Sequence, residues 1–163
     1  MAYMTSWYDF VNGTNNYPGR PHQITITGTS DSYFSGLRFV QSQMWTMTVI
    51  HSQGLLLEDI YVNSTDQKRA VGFEFSSLNT DGADTIYSDN ITFRRWTVDN
   101  GDDSISAKAN STNILIEDCK FYTGLGVRPS SKKKSTLIVT FGSLTSRLRS
   151  PSAASASIPT GSK

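Results

Sequence analysis

An internal repeat constrains the fold of this chain more than any other feature. Segment 91–98 aligns with segment 114–121, so that apolar residues fall at matching places with a spacing of 114 − 91 = 23. Segment 55–62 has the same layout, and segment 34–39 repeats its apolar positions one such period upstream. The step from segment 55–62 to segment 91–98 is 91 − 55 = 36, so one unit is longer by 36 − 23 = 13, an excess that includes 70–81. Units of this period bury their apolar face by stacking on their neighbours.

Within each unit, apolar and polar residues alternate until a polar pair interrupts them. The alternation predicts short strands, and the polar pair predicts a bend between two strands of one coil. These pairs are 58–59, 94–95 and 117–118. No window keeps the apolar spacing of a helix. The repeat therefore predicts an all-β solenoid. An antiparallel sandwich is the alternative, but it does not predict one repeated register.

Asparagines lie near the expected turns of the coils. Asn90 and Asn113 occupy equivalent places, and Asn63 is a third candidate. Asparagine tolerates left-handed backbone geometry and can bond its copy in the next coil. We interpret these residues as structural.

The charge of the chain divides near residue 128. Residues 1–127 hold eight basic and fourteen acidic residues, a net charge of −6, whereas residues 128–163 hold seven basic residues and no acid. The second part is rich in Ser and has few large apolar residues after Phe141, so we expect a disordered tail. We therefore place a partial β-solenoid domain in 1–127 and the tail in 128–163. A basic tail can bind nucleic acid, but hardly any aromatic residues accompany these charges, and we expect no such partner.

Two other classes of protein fit the sequence poorly. No apolar run approaches the roughly 18 residues of a membrane-spanning helix, so we expect no membrane partner. The single Cys119 excludes an internal disulfide.

The residues best suited to chemistry are clustered carboxylates. The positions of Asp81 and Asp102 differ by 102 − 81 = 21, close to one coil, and Asp103 follows Asp102 directly. Clusters of Asp, Asn and Gly are often only turns, and such loops can also bind calcium, although the spacing of an EF-hand is absent. Adjacent carboxylates tend to raise the pKa of one member. Carboxylates on one face, one of them protonated, are what glycoside hydrolysis requires.

The motifs around these carboxylates resemble those of family 28 glycoside hydrolases. The matching segments, in order, are 79–84, 101–108, 113–114 and 124–127, and segments 7–9 and 20–21 and Trp45 also resemble the upstream part of exo-acting fungal members. Four motifs in order are far more specific than any one of them. The resemblance implies a right-handed parallel β-helix and hydrolysis of pectic polysaccharide, either galacturonan or rhamnogalacturonan.

The resemblance also implies roles for individual residues. Asp102 would be the general acid, and Asp81 and Asp103 would hold and deprotonate the attacking water in an inverting reaction. Such a reaction needs about 6.5–9.5 Å between acid and base. The residues expected to line the substrate site are Asn79, Asp84 and Lys108, the last suited to a uronate carboxylate. No cofactor and no metal are implied, and we expect a monomer.

The sequence also departs from the family pattern. Ser104 stands where many members have Cys, which deprives Cys119 of its expected partner, and Leu125 stands where many have His. After Val127 an expected Arg-x-Lys motif does not follow. These departures favour exo over endo action. They also suggest a chain truncated at both ends by an error in the gene model. The alternative function is therefore an inactive fragment or a non-catalytic β-solenoid that binds polysaccharide.

The expected location is extracellular. Four Asn-x-Ser/Thr sequons begin at Asn12, Asn63, Asn90 and Asn110, as is typical of secreted eukaryotic proteins. The first residues, however, have neither the basic nor the apolar region of a signal peptide.

Overall fold

The computed structural model describes residues 7–11, 18–65, 77–129 and 137–140. These residues form one short helix and many short strands. In chain order the elements are α1 (Trp7–Val11), β1 (Ile24–Thr27), β2 (Ser30–Ser35), β3 (Arg38–Val40), β4 (Met47–Ile50), β5 (Gln53–Glu58), β6 (Tyr61–Asn63), β7 (Ala83–Ile86), β8 (Asp89–Arg94), β9 (Thr97–Asp99), β10 (Asp103–Ala107), β11 (Thr112–Glu117), β12 (Lys120–Phe121), β13 (Gly126–Arg128) and β14 (Leu137–Thr140).

The strands stack into three parallel sheets. The first sheet has the order β1-β4-β7-β10-β13, the second β2-β5-β8-β11-β14, and the third β3-β6-β9-β12. The chain therefore passes through the three sheets in turn and stacks each coil on the preceding one. The described residues contain four such coils and the beginning of a fifth. The prediction of a β-solenoid is confirmed.

The predicted register is also confirmed. Ile91 pairs with Ile114 in the second sheet, as the repeat requires. Leu57 pairs with Phe34 on one side and, across the longer step, with Phe93 on the other. The excess of the longer step lies between β6 and β7, and its residues 66–76 fall outside the described residues.

The core lies inside the coils, where alternate residues of each strand point. In β5, Leu55 and Leu57 are buried, while Leu56 between them is partly exposed. Trp96 is the largest of the fully buried side chains in the described residues, and its indole Nε1 donates a hydrogen bond to the Leu57 carbonyl at 2.8 Å. Phe93 packs against Trp96 edge-on, with 5.2 Å between ring centroids. Stacking therefore buries an apolar face that no single coil could bury.

Left-handed residues form the corners of the coils. The polar pairs predicted to bend the chain do so at their second member, since Asp59, Arg95 and Asp118 have φ angles of 53°, 52° and 51°. Asn90 and Asn113 are left-handed as predicted, with φ angles of 54° and 52°. Asn63 also lies at a turn between coils, at the end of β6, but it is absent from the positive-φ residues of the described chain.

Two elements lie outside the sequence-based expectation. Strand β14 pairs in parallel with β11 and lies beyond the predicted boundary at residue 127. Its residues are apolar and β-branched and continue the second sheet, so the expected disorder does not extend to them. The boundary itself stays a prediction, and residues 141–163 lie outside the described part of the chain.

The helix α1 was not predicted because its five residues are shorter than any helical periodicity window. The hydroxyl of its buried Tyr8 donates a hydrogen bond to the Ser42 carbonyl at 2.8 Å. Among the described residues, no helix has the length and apolar character needed to cross a membrane.

Candidate active site

The candidate site lies where the strands of the first sheet begin. Backbone hydrogen bonds between neighbouring coils place four residues at equivalent positions, one above the other, in a column. Gln23 N donates to the Trp45 carbonyl, Thr46 N to the Asp81 carbonyl, and Gly82 N to the Asp103 carbonyl. The column, from the first described coil to the fourth, is His22, Trp45, Asp81 and Asp103. Two carboxylates and two aromatic rings therefore share one edge of the solenoid.

The turn that carries the paired carboxylates is held by a buried asparagine. The side-chain nitrogen of Asn100 donates to the carbonyls of Thr80, Asp102 and Asp103 at 3.0, 2.9 and 2.9 Å. The Ser104 hydroxyl donates to Asn100 Oδ1 at 3.1 Å. The buried Asn100 amide thus fixes the backbone carbonyls of Thr80, Asp102 and Asp103. Ser104 helps to hold this amide in place.

Glycine is required where the next coil covers this turn. A Cβ at Gly124 would collide with the Asn100 side-chain oxygen, the Asp102 carbonyl and the Ser104 hydroxyl. The neighbouring Leu125 N donates to the Asp102 carbonyl at 2.8 Å. The backbone at Gly124 therefore lies close against the turn that carries Asp102 and Asp103, and it holds this turn from the side of the next coil.

Three carboxylates converge at this edge. One oxygen of each of Asp81, Asp102 and Asp103 lies within 4.8 Å of the others. Asp81 and Asp103 are buried, at 2% and 5% exposure, whereas Asp102 is partly exposed. These nearest oxygens are closer than the about 6.5–9.5 Å expected between the carboxyl groups of an inverting pair, so their separation does not by itself select inversion over retention. Such a group can hold a water molecule or a divalent cation.

Burial raises the pKa of several of these carboxyls. Loss of solvent, followed by the charge of Asp102, raises the pKa of Asp81 from 3.8 to about 6. Loss of solvent and the charge of Asp81 raise the pKa of Asp84 to about 9. The pKa of Asp103 is raised as well, first by burial and then by Asp102. At neutral pH Asp84 is therefore protonated and can donate its proton to the Asp81 carboxylate.

Lys108 supplies the positive charge of the site. Its Nζ lies 2.8 Å from Asp84 Oδ1 and 3.3 Å from Asp81 Oδ2. The same ammonium lies 4.4 Å from the centroid of the Trp45 ring, in cation–π contact. The His22 ring, with its centroid 4.8 Å away, packs against Trp45. Burial lowers the pKa of Lys108, but the attraction of Asp84 and Asp81 outweighs it and raises the pKa. Part of the negative charge of the carboxylates is thus balanced within the site.

Asn79 joins the site through Asp102. Its backbone N and its side-chain nitrogen both reach Asp102 Oδ2, at 3.1 and 3.5 Å. The structure therefore brings all six residues singled out from the sequence into one network of contacts. Their roles in catalysis and binding stay predictions.

A sequence model described as Glycosyl hydrolases family 28 matches residues 5–136. The chain belongs to this family. The resemblance seen in the motifs is thereby confirmed.

Relatives of this family 28 chain include several fungal proteins. It is 53% identical over 122 residues to an alpha-L-rhamnosidase of Aspergillus niger, which covers 75% of the chain and 27% of the relative. It is 36% identical over 122 residues to a protein of Aspergillus niger named as a galacturan 1,4-alpha-galacturonidase A, covering 74% and 28%. It is 34% identical over 126 residues to an exopolygalacturonase of Cochliobolus carbonum, covering 75% and 26%. The chain thus spans about a quarter of the length of these relatives. No solved structure matches it significantly.

Three residues of this family 28 site were not given a role from the sequence: His22, Trp45 and Asn100. The coil register is the signal that could have found the first two. The longer step leads back from Asp81 to Trp45 (81 − 36 = 45), and the ordinary period leads on to His22 (45 − 23 = 22). Asn100 carries no such signal, because an Asn before Gly-Asp-Asp looks like any other turn residue.

The departures from the family pattern also have a structural setting. Cys119 is a free thiol, half-buried below the corner of the coil. Leu125 is 61% exposed beside the Asp102 turn. The candidate site therefore presents an apolar side chain next to Asp102.

Proposed function

We propose that this protein hydrolyses α-glycosidic bonds in pectin, in galacturonan or in rhamnogalacturonan. The observation that carries the proposal is the convergence of Asp81, Asp102 and Asp103, with the pKa of Asp81 raised to about 6. A base works best when its pKa lies near the working pH, and a carboxyl with ordinary solvation would lie well below it. Membership of family 28 and the names of the relatives support the same reaction class.

The mechanism that we propose divides the carboxylates between two tasks. Asp102 is the most exposed of the three, and we assign it the protonation of the glycosidic oxygen. Asp81 and Asp103, both buried, hold the attacking water, and ionised Asp81 takes its proton. Protonated Asp84 donates a hydrogen bond to the Asp81 carboxylate, so the buried pair of carboxyls holds one proton between its two members. In this account the sugar leaves with inverted configuration.

The proposed contacts with substrate are made by Lys108 and Leu125. The Lys108 side chain is 28% exposed, so its ammonium stays accessible to a substrate oxygen or a uronate carboxylate beside its contacts with Asp84 and Asp81. Exposed Leu125 offers an apolar contact that suits the methyl group of rhamnose better than a carboxylate. The names of the relatives, a rhamnosidase and exo-acting enzymes, favour exo action. Because pectin lies outside the cell, this proposal places the protein there.

The alternative function is binding of polysaccharide without hydrolysis. Leu125, which stands where many members of the family have His, favours it. The two functions share the same carboxylate site and differ in whether the carboxylates turn over substrate.

Sugar release tests the proposal. The purified chain is incubated with polygalacturonate, rhamnogalacturonan and a chromogenic α-rhamnoside, beside Asp102→Asn. Loss of a general acid lowers the rate by about 100- to 10,000-fold. The matched control is Asp118→Asn, the same chemical change at an exposed corner of the solenoid. Release that falls in Asp102→Asn alone supports hydrolysis. No release from a chain that is folded by circular dichroism, together with retained binding to pectin, would establish the alternative.

A further inference from the structure

A second polar column runs beside the first and contains a buried arginine. Arg20, Gln43, Asn79 and Asp102 are spaced by 23, 36 and 23 residues along the chain, and hydrogen bonds join Arg20 to Gln43 and Asn79 to Asp102. Arg20 is 6% exposed, although charged side chains are rarely buried this far without a specific partner. Burial also lowers its pKa, because loss of water disfavours the charged form. The burial of the charged Arg20 guanidinium therefore needs an explanation in the contacts that it makes.

Arg20 forms hydrogen bonds to Gln43 and to the Leu78–Asn79 segment. Its Nη1 donates to the carbonyls of Gln43 at 3.1 Å and Leu78 at 2.6 Å. Its Nη2 donates to Asn79 Oδ1 at 2.8 Å. The planar guanidinium fork thus holds both the backbone before Asn79 and the side chain of Asn79 itself. Asn79 has a φ of 59°, a left-handed conformation that favours such support.

Arg20 decides which way the Asn79 amide faces. A guanidinium only donates hydrogen bonds, so the atom that faces it must be the amide oxygen. The amide nitrogen of Asn79 is then turned toward Asp102 Oδ2, 3.5 Å away, beside the backbone N of Asn79 at 3.1 Å. Without Arg20, the amide could turn over and present its oxygen to a carboxylate.

The two oxygens of Asp102 are therefore unequal. Oδ2 faces two donors from Asn79, whereas Oδ1 accepts one hydrogen bond, from Asp103 N at 2.8 Å. A carboxylate oxygen has two lone-pair sites, so Oδ2 is filled and Oδ1 keeps one for a proton. We propose that Arg20 is a positioning residue that, through Asn79, directs the proton of Asp102 to Oδ1. The proposal rests on the proposed function insofar as that proton is the one given to the leaving sugar.

A purely structural arginine would act differently. If Arg20 served only to join the coils, its replacement would lower stability but leave the titration of Asp102 in the folded protein unchanged. If it acts through Asn79, its replacement removes support for the ionised carboxylate. The titration of Asp102 then moves to higher pH.

The test is a carboxyl titration by ¹³C NMR of the full chain, which needs no activity. Arg20→Met is compared with Arg20→Lys, which keeps the charge but not the fork, and with Asn79→Ala. The control is Arg38→Met, since Arg38 stacks on Tyr61 with 4.1 Å to the ring centroid, on the third sheet. We expect the carboxyl titration of the site to differ from wild type in Arg20→Met and by less in Arg20→Lys, with no change in the control.

The double variant distinguishes the route. In an Asn79→Ala background, Arg20→Met should cause no further shift, because the residue through which Arg20 acts is already gone. Equal midpoints in Arg20→Met, Arg20→Lys and wild type, or additive shifts in the double variant, would overturn the proposal. If the chain releases sugar, kcat should also fall by about 10- to 100-fold in Arg20→Met with little change in KM, as expected from lost orientation. If the wild-type chain releases no sugar, the proposed function is wrong. The NMR result still decides the role of Arg20 in that case.

Discussion

The buried carboxyl of Asp84 gives a prediction about stability. Asp84 has no exposed surface, and its pKa is raised from 3.8 to about 9. The folded protein therefore keeps a proton that the unfolded chain releases above about pH 4. For a carboxyl with a raised pKa, stability is full below the unfolded pKa and is lost as the pH rises toward the folded one. The sensitive window runs from about pH 4 to about pH 9.

Replacement of Asp84 by asparagine removes this pH-dependent loss of stability. The amide keeps the shape of the protonated carboxyl and can still donate to Asp81, but it has no proton to lose. At pH 7 the cost of holding the proton is at most about 4 kcal/mol, from about three pH units at 1.36 kcal/mol each. Because the site relaxes and admits water, we expect Asp84→Asn to raise the free energy of unfolding by about half of that, about 2 kcal/mol.

Urea unfolding followed by circular dichroism measures this effect at pH 4 and pH 7. Asp118→Asn is the matched control, because that carboxylate is exposed. We expect Asp84→Asn to match wild type at pH 4 and to exceed it at pH 7, with no such difference in the control. A variant that is less stable than wild type by the same amount at both pH values would refute the reasoning, since the proton of Asp84 would then carry no cost.

Three further predictions follow from single contacts. Lys108→Met removes a charge that lowers the pKa of Asp81, so the acid limb of the pH profile of kcat/KM should move up from about pH 6, by about one unit. Trp96→Phe loses the hydrogen bond to the Leu57 carbonyl and part of the core, and thermal or urea unfolding should show a loss of about 2–3 kcal/mol. Burial raises the pKa of Cys119 to about 11, so a thiol reagent at pH 8 should label the folded chain about 100-fold more slowly than the unfolded chain.

The fold could be predicted from the sequence because stacking imposes a period. Each coil must place its apolar residues over those of its neighbour, so the register of Ile91 and Ile114 is visible in the spacing of apolar residues alone. The polar pairs at the corners follow from the same repetition. The longer step was visible as well, because the coils on either side of it keep their layout.

The interior of the site could not be predicted in the same way. The contacts of Lys108 with Asp84 and with Trp45 depend on side-chain directions that a period does not specify. The burial of Arg20 was invisible because a lone Arg reads as a surface residue. The raised pKa of Asp84 arises from burial beside Asp81, which no spacing of carboxylates reveals.

The separation of the carboxylates leaves stereochemistry as the most direct test of the central claim. We would follow hydrolysis of an α-linked substrate that the chain accepts by time-resolved ¹H NMR, which distinguishes the anomers before they equilibrate. If Asp81 and Asp103 deliver water while Asp102 protonates the leaving oxygen, the first product is the β-anomer. An α-anomer as first product would mean that a carboxylate attacks the sugar itself, and the proposed division of roles among the three residues would be wrong.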